Sequence, residues 1–149
     1  MLETYDELVT YWKTMTTLIP EIKGVTVGSD EDLLTQQNTR IKYPHLWVET
    51  PVVTFAGVGG IPVKRLAFAY TVFQNDNQKT NVAANAALSA TLALSEKIVA
   101  QLLSDSDGGD FSLVLNDEEF EPTRQWSGDN CYGWRGYVVL ELPRCECDC

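Results

Sequence analysis

The stretch VKRLAFAYTVF, from Val63 to Phe73, constrains the fold more than any other part of the chain. Its β-branched and aromatic residues favour an extended backbone. In that conformation alternate side chains leave on opposite faces, so Leu66, Phe68, Tyr70 and Val72 share one side and Ala67, Ala69, Thr71 and Phe73 the other. A strand this apolar on both sides belongs in the interior of a sheet, and the remaining residues must supply its neighbours and its cover.

Two segments have the spacing of covering helices. From Met1 to Ile19, the residues Leu2, Tyr5, Leu8, Val9, Trp12, Met15 and Ile19 recur at steps of three and four. Thr4 and Glu7 have capping-box spacing there, and Pro20 stops the pattern. From Asn81 to about Leu103, a run rich in alanine (Ala83, Ala84, Ala86, Ala87, Ala90, Ala93, Ala100) has high helix propensity. Leu88, Leu92, Val99 and Leu102 give it an apolar stripe, and SDSDGGD ends it.

The neighbours of the central strand are readable too. RIKYPHLWVETPVVTF has strand composition, but Pro44 and Pro51 remove backbone donors and point to an edge, a strand start or a bulge. GVTVG reads as a short strand, and Ser29 before DEDLL as the cap of a helical turn. In the last third, FSLVL is a short strand. In CYGWRGYVVLELP the alternation sets Tyr132, Trp134, Val138, Leu140 and Leu142 against Arg135, Tyr137 and Glu141. Between them lies an acidic connection, Asn116 to Asn130, which reads as a long hairpin arm. The expected architecture is α+β: an antiparallel four-stranded sheet with two helices on one face, in the order α-β-β-α-β-β. A chain of 149 residues suits one domain, with a flexible cysteine-rich tail from about residue 144.

Charge excludes one class of partner. The net charge is −10, and basic residues are scattered apart from Lys64-Arg65 and the pair Arg40 and Lys42. Stable binding to phosphate backbones needs clustered cations. DNA is therefore expected to pass such a surface without binding it. The N-terminus lacks a basic region followed by an apolar run, and no uninterrupted apolar stretch reaches membrane-spanning length, so a protein of the cytosol without a membrane partner is expected.

Catalytic chemistry is sparse. His45 is the only histidine, flanked by Pro44 and Leu46, and reads as a structural histidine with its hydrogen bonds met. No serine sits in a nucleophile-elbow pattern. Gly57, Gly59 and Gly60 of AGVGGIP lack a following Gly-Lys-Ser/Thr and fit a hairpin turn better than a phosphate loop. A calcium loop counted from Asp105 would need glycine at Asp110 and glutamate at Asn116, so SDSDGGD reads as a helix-ending turn. No enzymatic activity and no cofactor are expected.

The cysteines carry the strongest remaining signal. Cys145, Cys147 and Cys149 would project to one side of an extended tail, and Cys131 could complete four thiolates for zinc. Their spacing is tighter than that of structural zinc sites, and Glu146 and Asp148 add negative charge. Reduced thiols on a frayed terminus are the preferred reading. On the acidic arm, Trp126 stands among Glu118, Glu119, Glu121 and Arg124, a set suited to anchoring an interface, and folding of Trp126 back onto the sheet is the equal alternative.

The element order, the acidity and the phrases RIKYPHLWVETP and DNCYGWRGYVVLELP together carry a resemblance. The chain resembles the small neck and tail-completion proteins of tailed bacteriophages, including tail terminators and head–tail connector ring proteins. The two phrases look similar to hypothetical proteins of phages and prophages of Bacteroidetes-type bacteria. The resemblance implies a virion protein assembled in the host bacterial cytoplasm. It also implies a homo-oligomeric ring of six or twelve subunits around the DNA channel, touching other neck or tail proteins. The alternatives are a small cytosolic enzyme or regulatory domain with an unseen site, and a zinc protein built on the four cysteines.

Overall fold

The computed structural model describes residues 2–29, 41–58, 60–75, 80–114, 119–124 and 131–143. It is α+β, with helices α1 (Tyr5–Lys13), the four-residue α2 (Met15–Leu18) and α3 (Asn81–Asp107). The strands are β1 (Gly24–Val27), β2 (His45–Val48), β3 (Val52–Val58), β4 (Ile61–Asn75), β5 (Ser112–Val114), β6 (Glu121–Arg124) and β7 (Cys131–Pro143). They form one mixed, mostly antiparallel sheet of seven strands in the order β1-β2-β4-β7-β5, with β3 also on β4 and β6 also on β7.

The expected central strand is β4, flanked along nearly its whole length by β7 and, on the other side, by β2 and β3. The four-stranded sheet and its α-β-β-α-β-β order are corrected at three places, each with a local cause. The first strand is two: between Val48↔Tyr70 and Val52↔Ala67, the three residues Glu49 to Pro51 face only Phe68 and Ala69. This is a bulge at the proline that cannot donate to the ladder. GVTV joins as β1, parallel to β2, a pairing that a tight hairpin turn could not connect. The acidic connection, finally, is not wholly an arm. Glu121–Arg124 pairs with β7, and Phe120 packs on the main core with its ring 6.3 Å from that of Tyr70.

Both helices cover the same face of the sheet. Thr4 and Glu7 form the expected capping box. The first helix breaks at Thr14, whose hydroxyl donates to the Tyr11 carbonyl at 2.6 Å. Leu8, Trp12, Met15 and Ile19 pack on Leu66, Phe68, Tyr70 and Val72 of β4, with the Trp12 and Phe68 rings in edge contact at 5.5 Å.

Helix α3 is capped by the Thr80 side chain and runs four residues beyond Leu103. Asp105 is held there by the Tyr11 hydroxyl at 2.7 Å and by Gln101, so the acidic turn is helical until Gly108. The buried seam is Ala84, Ala87, Leu88, Thr91, Leu94, Ser95, Ile98 and Leu102. Leu92 and Val99, expected on the stripe, are only half-buried. Thr91 and Ser95 can lie in the seam because their hydroxyls donate to carbonyls one turn back. By length and mean hydropathy (1.3) α3 also passes for a membrane span, although Ser95, Glu96 and Lys97 interrupt its apolar run. Its packed face gives those apolar residues an occupant within the fold.

Candidate functional site

The face of the sheet turned away from the helices divides into a closed half and a bare half. At the β1–β2 end, Trp47, Phe73 and Cys131 are buried with Ile41 and Tyr43 packed against them. His45 lies in the same region and is 3% exposed. Its Nδ1 lies 3.3 Å from the Lys42 carbonyl and its Nε2 lies 2.7 Å from the Thr26 hydroxyl. The network is satisfied when Nδ1–H donates to Lys42 and Nε2 accepts from Thr26. Burial lowers the His45 pKa to about 4, partly opposed by the Lys42 carbonyl. A hydroxyl beside an imidazole is the geometry of an activated nucleophile. Thr26, however, is itself 2% exposed, so no substrate carbonyl can approach it. The pair is structural.

Between the two halves lies a cleft of about 280 Å³ lined by Trp47, Glu49, Thr71, Phe73, Thr123 and Arg135. Trp47 is fixed by its indole N–H donating to the Gly28 carbonyl at 3.0 Å. Arg135 grips both oxygens of Glu49, at 3.0 and 3.2 Å, and its guanidinium lies 4.9 Å from the centre of the Tyr137 ring. The Glu49 hydrogen bond is the main reason the Arg135 pKa is raised, with Glu121 contributing last. Glu49 reaches this position because the bulge carries it beside Ala69. A rigid ion pair beside two aromatic rings can orient a planar or charged group.

The bare half is apolar. It carries Val52 of β3, 70% exposed, and Tyr137 of β7, 55% exposed; Val53 (46%) and Phe55 (61%) are exposed on the other face of β3, opposite Leu66 and Lys64. The hairpin of β3 and β4 closes with Val58 opposite Ile61, and Gly60 ahead of β4 takes φ +83°, so this glycine serves the turn.

Of the interface residues expected from sequence, Glu119 is exposed ahead of β6, Glu121 is exposed opposite Arg135, and Arg124 pairs with Tyr132 in the β6–β7 ladder. Glu118 and Trp126 lie outside the described residues, as do Cys145, Cys147 and Cys149. Cys131 is buried, 3.7 Å from the Tyr43 hydroxyl. Among the described residues no three His, Cys, Asp or Glu side chains are grouped to hold a metal. Sequence reasoning missed the Glu49–Arg135 pair and the exposure of β3. The alternation did put Arg135 on the uncovered face, but only the bulge places Glu49 within its reach.

Compared with models of known protein families and with curated proteins, the chain matches none.

Proposed function

We propose that this protein is a structural subunit of a tailed-phage virion, one copy of a homo-oligomeric ring at the neck or tail end. The observation that supports this most is where the surplus apolar surface lies. It is spread over the β3–β4 hairpin and the bare half of the sheet, as in a surface made to be covered by another chain. The net charge of −10 suits a ring through which DNA slides without adhering. The resemblance to tail terminators and connectors supplies the setting. Immunogold labelling of purified particles tests it. Label confined to the neck or tail end supports the reading, and particles without label contradict it.

A second reading, a small-ligand binding domain, draws on the cleft between Trp47 and Arg135. Thermal-shift screening against a ligand panel, repeated with Arg135→Ala, separates the two. A ligand whose stabilisation vanishes in the variant favours the second.

A further inference from the structure

We propose that the cleft between Trp47 and Arg135 binds a small, uncharged, planar ring carrying a carbonyl beside an N–H, and that Thr71 is the buried hydroxyl that meets its polar edge. The inference rests on the ligand-binding reading of the cleft, which self-assembly neither requires nor forbids.

Its main support is a hydroxyl left without a partner. Thr26, His45, Thr71, Thr91 and Ser95 are the buried polar side chains among the described residues, each 5% exposed or less. Four of them are satisfied. Thr26 and His45 bond each other, and Thr91 and Ser95 donate to carbonyls one turn back along α3. Thr71, on β4, makes no side-chain hydrogen bond among the described residues. A buried hydroxyl without a partner costs stability, so its presence calls for a reason outside the fold itself. The oxygen is not sealed among packed side chains. The fully enclosed polar atoms without partners are Trp12 Nε1 and Asn75 Oδ1, whereas Thr71 lines the cleft.

The register builds the rest of the site around this hydroxyl. Trp47, Thr71 and Arg135 stand opposite one another on β2, β4 and β7, so their side chains leave one face in a single row. Thr71 is the floor. At about 280 Å³ the cleft falls just below the usual range for drug-sized ligands, so its occupant is compact. Arg135 spends three N–H groups, two on Glu49 and one on the Tyr137 hydroxyl at 2.5 Å. A guanidinium has five, which leaves one on each terminal nitrogen to meet a carbonyl. The Thr71 hydroxyl accepts from an N–H beside that carbonyl.

Charge narrows the class further. Glu49 already neutralises Arg135, and Glu121 of β6 stands opposite Arg135 as a second carboxylate. An anion would meet surplus negative charge, and a cation would meet guanidinium N–H groups. The apolar lining from Trp47 and Phe73 suits a flat ring.

Calorimetric titration of the full chain with uracil, the simplest ring of this class, tests the proposal beside orotate, the same ring with a carboxylate. Uracil should bind and orotate should bind more weakly. Thr71→Val should lose about tenfold in uracil affinity, the worth of one hydrogen bond, and Thr71→Ser, which keeps the hydroxyl, should not. Free of ligand, Thr71→Val should melt roughly 2–4 °C above the natural protein, because an unpaired buried hydroxyl is gone. Amide signals of Thr71 and Arg135 in the natural protein should shift as uracil is added. Unchanged affinity in Thr71→Val, orotate binding as tightly as uracil, or unmoved amide signals overturn the proposal. A Thr71→Val protein that melts lower does so too, since the hydroxyl would then be holding the fold. If neither ring binds while another ligand is lost in Arg135→Ala, the ligand class falls and the ligand-binding reading stands. If no ligand binds the natural protein, both fall.

Discussion

His45 is held neutral by its surroundings, and this has a calculable consequence. Its pKa lies near 4 in the fold against about 6.5 when unfolded, so the unfolded chain binds the proton more readily. The associated stability is fully present above pH 6.5 and is lost as pH falls from there to about 4, roughly 3 kcal/mol in total. Chemical denaturation of His45→Gln should show a shallower loss over this window than the natural protein. Parallel curves would mean the imidazole is solvated. Gly136 is a second sensitive position, since a Cβ there would lie 2.7 Å from the Phe120 ring and 3.1 Å from Tyr70. Gly136→Ala should cost about 1–3 kcal/mol by overpacking, read as a lower denaturation midpoint at unchanged slope.

Among the elements, the acidic connection departs furthest from its sequence. Its carboxylates suggest a solvated arm, yet Phe120 and the strand Glu121–Arg124 tie it to β7. One aromatic among acids gave no periodic signal, and a four-residue strand is below what alternation can resolve. Deleting Pro122 to Ser127 should therefore destabilise the fold. Phe120→Ala should cost roughly 1–3 kcal/mol, below the usual figure for a fully buried ring because Phe120 is half-buried. A deletion protein with the natural melting temperature would restore the free arm. Helix α3, β4 and β7 were legible because each is long and strongly patterned. The bulge was foreshadowed by Pro51, but its effect, bringing Glu49 to Arg135, depends on a register that only the paired strands define.

For the whole molecule, fold class and the shared helix-covered face followed from hydrophobic patterning, while the candidate surface followed from what the helices leave uncovered. That distinction is invisible in sequence, where Val52, Val53 and Phe55 look like core residues. Net charge adds a prediction at this scale. Copies carrying −10 each repel, so self-association should strengthen as salt is raised from about 10 mM to physiological levels. Sedimentation across that range should show larger species at higher salt. The opposite trend would mean that ion pairs, not apolar strands, hold copies together.

The central claim is that this chain acts by assembling with itself around an axis, and a cryo-EM map of the particle that contains it tests this most directly. The account predicts several copies related by rotation about the tail axis, with the β3 hairpin and the bare sheet face buried between chains. A single copy, or copies unrelated by that rotation with β3 left in solvent, would contradict it.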